Sequence, residues 1–377
     1  MSKRVENPEF QGVRMRIVKR AVFVLLLFST FAMAKTKLIL DTDTGFSHPY
    51  DKGHMDDAST ILMLLKSEQV DLLGITEVSG NEWVDQGVQN ALKLLEIAGR
   101  EEVPVFRGAL YPLVHDVERF DSIEKYATGY TWRGALNPWH KGPSHIVEPM
   151  GELPTLKPRE QNAVQFLLDT VSGNPGEITI LAIGPLTNLA LAMGIDETFA
   201  SKIKHIVIMG GAFYTGGNAN GAAEFNFWWD PEAARKVMRS GARISLVPLD
   251  VCHKTKYKKW QYERILDSGN RNSRFFEAVD GPFWKSNPTE LLTVFDAVAA
   301  AYLLRPEIFP DVRRRFVDVE VGQALSYGQS IAFRNEDRWE GRLDFRPPLG
   351  TSEVDIVFDV DTKEYDELFA SLLASPD

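Results

Sequence analysis

Two pairs of carboxylates stand close together near the start of the chain. Asp41 and Asp43 end an apolar, strand-like run, and Asp56 and Asp57 follow shortly afterwards. Burying several like charges together is costly, so acids clustered at the end of a core strand are typical of sites that hold a hard cation or share protons. The sequence therefore predicts a metal-dependent enzyme.

The second pair has a local explanation as well. Asp56 and Asp57 directly precede the helical pattern Ala58–Leu65, so we expect them in the first turn of a helix, where the macrodipole favours negative charge. Taken alone, capping would explain them. The start of this helix would, however, return the chain towards the strand end that bears Asp41 and Asp43, which favours a shared site.

A second polar cluster occupies residues 218–226, in a loop after a glycine-rich strand end. Its amides and single carboxylate suit the hydroxyls of a sugar, which need donors and acceptors at fixed spacing. Turn chemistry is the alternative, because Asn and Gly are common turn residues. Asp230, directly before Pro231, is assigned a capping role at the next helix.

Asp296 is a third candidate, because it is an acid in apolar surroundings at the start of a helical pattern. Capping is again the alternative. Trp228 and Trp229 could stack on a base, but adjacent aromatic side chains point in different directions. We expect at least one of the two to pack in the core.

The elements that must hold these residues follow from hydrophobic periodicity. Apolar runs rich in β-branched residues alternate with helical patterns, which predicts an α/β fold with an open, mostly parallel sheet and helices on both faces. Ligands of such sheets bind outside the carboxyl ends of the strands. Residues 108–160 lack clear periodicity and are expected to form an insertion or a lid. The predicted strands are Lys37–Asp41, Val70–Val78, Val103–Phe106, Ile178–Ile183, His205–Met209 and Arg243–Pro248, and the predicted helices are Ala58–Leu65, Val88–Ile97, Ala163–Val171 and Pro231–Met238.

The first 34 residues differ from the rest of the chain. Basic side chains precede the apolar stretch Ala21–Ala32, and small residues follow up to Ala34. This order predicts a secretory signal peptide over residues 1–34, cleaved near Ala34, and a periplasmic or secreted catalytic domain over residues 35–377. A membrane anchor is the alternative, but the apolar stretch is shorter than the ~20 residues that span a bilayer.

Composition and charge limit the partners of the protein. With 377 residues, 44% of them hydrophobic, the chain can bury a large core. Its net charge is −10, and loss of residues 1–34 removes six basic and two acidic side chains, which leaves −14. Nucleic acid is therefore not an expected partner, and a membrane is expected only through an uncleaved signal segment. Cys252, the only cysteine, excludes an intramolecular disulfide.

In combination the motifs resemble the nucleoside hydrolases of the inosine-uridine-preferring type. Their hallmark, D-x-D-x-G-x-D-D-A after the first strand, is matched by residues 41–45 and 56–58, with a longer segment between them. The resemblance covers most of residues 37–370 and implies an enzyme that cleaves ribonucleosides into a base and ribose. Further matches are Gly80-Asn81, Ile183 to Asn188, Met209 to Gly211, Asn218 to Asn226, Asp230 to Ala234, and Pro248 to Val251.

The resemblance also implies roles for individual residues, with Asp43 and Asp296 as the catalytic pair. Asp43 would take a proton from an attacking water, and surrounding oxygens would stabilise an oxocarbenium-like transition state. The resemblance also allows the protein to be a homo-oligomer. A calcium ion would be held by oxygen atoms alone, as a hard cation requires, from Asp43, Asp57, Asp296 and the backbone carbonyl of Ile183. The ribose pocket would be lined by Asp56, Asn81, Asn218, Glu224, Asn226 and Asp296.

Two departures from the family pattern concern the departing base and the metal. Phe295 stands directly before Asp296, where well-studied members carry a histidine that helps the base to accept a proton. Three explanations are open: another residue activates the departing base, the substrate has a base that leaves without help, or turnover is slow. The inserted segment Phe46–Met55 could supply a replacement acid or an extra ligand, although an exposed polar loop is the simpler account. Asp51 also competes with Asp56 for the motif position. The candidates in the insertion are His48, Asp51 and His54.

Two other functions remain as alternatives. A haloacid-dehalogenase-like phosphatase also begins with an apolar strand and D-x-D, but Gly45 stands where that pattern has Thr or Val. A non-catalytic exported protein that binds nucleosides or sugars on the same fold would explain the missing histidine. The retained acids favour the enzyme, because a binding protein has no need to activate water.

Overall fold

The structure is a computed structural model that describes residues 1, 34–46, 55–114, 133–137, 140–322, 325–333, 338–339, 343–344 and 347–377. The chain divides into two units, Met1–Ala34 and Lys35–Asp377, and every helix and strand below belongs to the second. His48, Asp51 and His54 lie outside the described residues, as does nearly all of the predicted signal peptide. None of the helices in the described ranges is long and apolar enough to cross a membrane.

The centre of the second unit is a mixed β-sheet. Its strands are β1 (Thr36–Thr42), β2 (Val70–Glu77), β3 (Val105–Arg107), β4 (Thr179–Ala182), β5 (His205–Met209), β6 (Ile244–Val247), β7 (Val312–Val319), β8 (Ser330–Phe333) and β11 (Ser352–Val357), while β9 (Arg338–Trp339) and β10 (Leu343–Asp344) form a separate antiparallel pair. Among the described residues the sheet has nine strands in the order β3-β2-β1-β4-β5-β6-β11-β7-β8. Every neighbouring pair from β3 to β11 is parallel, whereas β7 runs antiparallel to both of its neighbours, β11 and β8. The predicted mostly parallel α/β sheet is thus confirmed.

Helices cover both faces of this sheet. Successive residues of β1 point to opposite sides, so Leu38 and Leu40 join one buried hydrophobic cluster and Ile39 joins the other. The helices are α1 (Asp56–Lys66), α2 (Val84–Ala98), α3 (Ala163–Gly173), α4 (Thr187–Ile195), α5 (Phe199–Lys202), α6 (Phe225–Trp229), α7 (Pro231–Met238), α8 (Leu249–Cys252), α9 (Lys259–Asp267), α10 (Arg271–Ser286), α11 (Asp296–Leu304) and α12 (Thr362–Leu373). The first cluster contains residues of α1, α2, α11 and α12, and the second contains residues of α3, α4 and α7.

The six strands predicted from the sequence are all present, although the third is shifted towards the C-terminus and the fourth and sixth are each two residues shorter than expected. The last strands of the sheet, β7, β8 and β11, were not predicted. In β7 the consecutive side chains Arg313, Arg314 and Arg315 break the alternation of apolar and polar residues that marks a half-buried strand.

Part of the segment 108–160 docks beside the carboxyl end of β2. The amide of Ala135 donates to the carbonyl oxygen of Gly80 at 2.8 Å. Gly134 has φ of +52°, and a Cβ there would lie 2.1 Å from the same oxygen, so only glycine fits this approach. Trp132, Pro138 and Trp139 of this segment lie outside the described residues.

Candidate active site

Asp43 lies just past the end of β1 and is completely buried. Its Oδ2 atom accepts a hydrogen bond from the amide of Asn81 at 2.6 Å. A Cβ on Gly80 would lie 2.1 Å from this Oδ2, and one on Gly184 would lie 2.8 Å from Oδ1. The two glycines after β2 and β4 therefore let neighbouring backbones close around the carboxylate.

Asp57 faces the same strand end from the first turn of α1. Its Oδ1 atom accepts from the hydroxyl of Thr42 at 2.6 Å. Its Oδ2 atom accepts from the amide of Gly45 and the side-chain amide of Asn81, both at 3.3 Å. The prediction that α1 returns its acids to the end of β1 is confirmed for this residue, since Thr42 is the last residue of that strand.

Asp56 connects α1 to the start of α11. Its two carboxylate oxygens accept the backbone amides of Phe295 at 2.9 Å and Asp296 at 2.7 Å. A carboxylate here satisfies amides that the helix leaves without partners, and it lies at the positive end of the helix dipole. The resemblance implies that Asp56 lines the ribose pocket, and in the structure the same carboxylate also holds the start of the helix that bears the buried Asp296.

The four acids lie close enough to influence one another's ionisation. Burial and the charge of Asp57 raise the pKa of Asp43 well above its usual range, and they raise the pKa of Asp56 to about 8. The pKa of Asp296 is also raised, first by burial and then by the charges of Asp56, Asp57 and Asp43. Such a cluster is stabilised by protons or by a cation, whichever neutralises the charge.

The predicted carbonyl ligand and one predicted ribose ligand are in direct contact. The side-chain amide of Asn226 donates to the carbonyl oxygens of Ile183 at 2.8 Å and Met209 at 3.2 Å. Asn226 therefore ties the residue after β4 to the end of β5. Within the described residues its Oδ1 atom accepts no hydrogen bond, so this oxygen is available to a ligand.

Glu224 and Asn218 shape the loop before α6. Glu224 is the N-cap of this helix, and its carboxylate accepts the amides of Asn226 at 2.7 Å and Gly211 at 3.1 Å. Burial raises the pKa of Glu224 to about 7. Asn218 accepts the amide of Phe225 at 2.9 Å. Turn and cap chemistry thus explains part of the polar cluster 218–226, and the same side chains stand beside the strand ends that bear Ile183 and Met209.

The structural roles predicted for Asp230 and for the pair Trp228 and Trp229 are confirmed. Asp230 caps α7 by accepting the amide of Ala233 at 3.0 Å, and it also accepts the hydroxyl of Thr187 at 2.7 Å. Trp228 and Trp229 are both buried, with 3% and 1% of their surface exposed. Packing therefore accounts for both tryptophans.

A second buried pair of acids consists of Asp41, which sequence reasoning placed in the motif without an individual role, and Glu77, which it did not identify. Asp41 accepts hydrogen bonds from Thr76 at 2.5 Å and Asn188 at 2.8 Å, and burial raises its pKa to about 7. Glu77 accepts the hydroxyl of Thr44 at 2.8 Å, and burial raises its pKa well above the usual range. A lone charge at the carboxyl end of the predicted strand Val70–Val78 was the signal that could have identified Glu77.

The predicted metal ligands are of the chemical type that a hard cation prefers, although their side chains do not surround a single point. In the described part of the chain, no group of three or more His, Cys, Asp or Glu side chains has the arrangement of a metal site. All the predicted ligands are nevertheless oxygen atoms. The buried Oδ1 of Asp43 also has no hydrogen-bond partner among the described residues, which is unusual for a buried carboxylate and leaves it able to take a cation.

Comparisons with known proteins agree with this arrangement. Residues 38–367 match the inosine-uridine preferring nucleoside hydrolase family. Uridine nucleosidase 1 of Arabidopsis thaliana is 34% identical over 347 residues, which cover 90% of this chain and 94% of that protein. The pyrimidine-specific ribonucleoside hydrolase RihA of Citrobacter koseri is 33% identical over 286 residues, covering 74% of this chain and 85% of that protein. The solved structure of the plant nucleoside hydrolase PpNRh1 has a TM-score of 0.71 at 28% identity, covering 90% of this chain and 99% of that one.

The chain therefore belongs to the inosine-uridine preferring nucleoside hydrolase family. The family, the fold and the enzyme class predicted from the motifs are confirmed. The haloacid-dehalogenase-like alternative is set aside, because the match spans the whole sheet and the site at its carboxyl edge.

Proposed function

We propose that the protein hydrolyses ribonucleosides at the N-glycosidic bond and releases a free base and ribose. The main support is the group of buried acids at the carboxyl ends of the parallel strands, where Asp43, Asp57 and Asp296 affect one another's ionisation. Parallel α/β sheets bind ligands at this edge. A binding protein would have no reason to bury so much like charge, which is costly unless it is used.

We propose calcium as the metal. Asp43, Asp57, Asp296 and the carbonyl oxygen of Ile183 would hold it, with the all-oxygen ligation that this ion prefers. A bound calcium ion supplies positive charge that offsets the buried carboxylates and makes a nearby water more acidic.

The residues of the chain would share the remaining work. Asp43 takes a proton from water as the water oxygen bonds to the anomeric carbon, and the electron pair of the broken C–N bond leaves with the base. Asn81, Glu224 and Asn226 hold the ribose hydroxyls in one orientation. Negative charge from the buried acids stabilises the positive, oxocarbenium-like sugar in the transition state.

Uridine is the first substrate to test, because relatives that share about a third of their residues with this chain are named uridine nucleosidase or pyrimidine-specific ribonucleoside hydrolase. Protein lacking residues 1–34 would be assayed for ribose release from uridine, cytidine, inosine and p-nitrophenyl riboside, with calcium and with a chelator. We expect calcium-dependent release from at least one natural nucleoside. No release from any substrate, by protein shown to bind calcium, would contradict the proposal and favour a binding role.

We also propose that the protein is exported and loses its first 34 residues. The order of basic, apolar and small residues before Lys35 supports this. Mass spectrometry of the protein recovered from outside the cytoplasm should give a mature N-terminus at or near Lys35. Protein retained in the cytoplasm with an intact N-terminus would refute export.

A further inference from the structure

The residue before Asp296 cannot donate a proton, but a histidine lies against it. The rings of His253 and Phe295 meet edge to face, with centroids 5.9 Å apart and planes at 68°. Among the histidines that the structure describes, His253 is the one in ring contact with Phe295. An imidazole is therefore present beside position 295, although it comes from a different element of the fold.

The short helix α8 fixes the position of His253. At its first residue the amide of Leu249 donates to the carbonyl oxygen of Gly211 at 3.0 Å. At its end the thiol of Cys252, which is completely buried, lies 3.6 Å from the carbonyl oxygen of Phe295. His253 follows directly, with its amide bonded to the carbonyl oxygen of Leu249 at 3.0 Å. The backbone of His253 is thus held between the loop after β5 and the start of α11.

A second anchor lies on the same helix. The carboxylate of Asp250 accepts the amides of Phe213 at 2.9 Å and Tyr214 at 2.7 Å. These residues follow Gly210 and Gly211, which end β5 at the site edge of the sheet. The helix that presents His253 is therefore tied to the same edge as the buried acids.

The side chain is also accessible. His253 is exposed and Phe295 is partly exposed, whereas Cys252 beneath them is buried. Other described histidines lie in different surroundings: His140 is buried against Glu82 with Nδ1 and Oε2 3.0 Å apart, and His205 begins β5 at the opposite edge of the sheet. The His253 imidazole is thus open to solvent and to a ligand beside position 295.

We propose that His253 is the catalytic acid that protonates the departing base, an inference that rests on the proposed nucleoside hydrolysis. As the C–N bond breaks, its electron pair stays with the base, and the proton of the His253 imidazolium passes to a nitrogen or oxygen of that base. The water adds its hydroxyl group to the anomeric carbon and gives its proton to Asp43. The two side chains then return to their starting states by exchanging one proton each with solvent.

The charges around His253 agree with this role. Partial burial, followed by the charge of Lys256, lowers the pKa of His253, while the negative charge of Asp250 acts in the opposite direction. A lower pKa makes the imidazolium a stronger acid than a fully solvated one.

The test compares leaving groups that do and do not need a proton. In His253→Gln we expect kcat/KM for uridine to fall by about 100-fold or more, while that for p-nitrophenyl riboside changes by less than about 3-fold. A merely structural role would reduce both rates together, because displacement of Phe295 and Asp296 would harm either substrate. Equal losses for both substrates, or no loss for either, would overturn the proposal.

Two further variants complete the design. His145→Gln changes an exposed histidine of the described loop at residues 142–148 and should leave both rates unchanged. A double variant, His48→Gln with His54→Gln, removes the two histidines of the Phe46–Met55 insertion. A loss selective for uridine in the double variant, with His253→Gln unaffected, would overturn the assignment in favour of the insertion. Wild-type protein that releases ribose from neither substrate would refute the proposed hydrolysis itself. An active wild type whose rates are unchanged by His253→Gln would refute only the role of His253.

Discussion

The side-chain amide of Asn226 lies 2.8 Å from the carbonyl oxygen of Ile183 and donates a hydrogen bond to it. Asn226, which is proposed to bind the ribose, thus orients the carbonyl oxygen of Ile183, which is proposed to bind the metal. Partners that orient a metal ligand affect metal affinity even when they do not touch the ion.

Asn226→Ala is therefore expected to weaken calcium binding by about 10-fold as well as raising KM. Calorimetric titration with calcium would measure the first effect and ribose release the second. The matched control is Asn218→Ala, because Asn218 bonds to the amide of Phe225 and not to Ile183. It should raise KM with calcium affinity intact, and equal calcium affinities in the two variants would contradict the coupling.

Asp43→Asn is expected to fold normally and to lose hydrolysis by roughly 1,000-fold, because the amide cannot accept the proton of water. Burial already raises the pKa of Asp43, so a neutral side chain of the same shape should not lower the free energy of unfolding. Thermal unfolding and initial rates would be measured together. Asp169→Asn, at an exposed position, is the control. Turnover close to wild type in Asp43→Asn would refute the proposed base.

Gly80→Ala tests the close approach around Asp43. The added Cβ would meet Oδ2 of Asp43 at 2.1 Å, so either the carboxylate or the turn after β2 must move. We expect a fall in kcat of about 100-fold, as for other small displacements of a catalytic group. Gly173→Ala is the control, because a Cβ there meets nothing within 4 Å. Similar rates in the two variants would show that Asp43 tolerates the displacement.

Asp280 predicts a pH-dependent stability that is independent of catalysis. It is completely buried on α10, where the effect of burial outweighs that of the neighbouring Tyr257 hydroxyl. Burial raises its pKa from 3.8 to about 8. The folded state therefore keeps its proton while the unfolded state loses it, and the free energy of unfolding falls as the pH rises from about 4 to about 8.

Asp280→Asn removes this titration. The stability of the variant relative to wild type should increase by roughly 3 kcal/mol between pH 5 and pH 8, as measured by urea unfolding. Asp71→Asn, at an exposed position of β2, controls for the general effect of removing a charge. A constant difference between Asp280→Asn and wild type across this range would mean that Asp280 is not held neutral in the fold.

The sequence located Asp43, Asp56 and Asp57 because two local rules suffice: parallel strands end at one edge, and a short connection brings the next helix back to it. The position of Glu77 in the site cannot be predicted from a local sequence pattern alone. Glu77 reaches the same site because β1 and β2 pair with Thr42 opposite Glu77, and this register cannot be read from either strand alone.

The contact between His253 and Phe295 is harder still to foresee. His253 caps the end of α8 and Phe295 caps the start of α11, and these two helix ends meet only when both helices pack at the end of the sheet. Periodicity predicts that a helix exists, but it does not predict which residues at two helix ends will touch. The resemblance marked position 295 as unusual, and the fold was needed to show its neighbour.

The hydrogen bond from Asp296 to Asp56 joins residues 240 positions apart. During synthesis, the first strand and its acids leave the ribosome long before α11 does. With Asp296 in its proposed roles, the nascent chain would be inactive until its last quarter emerges. A nucleoside-cleaving site built in this way is completed only when synthesis is nearly finished.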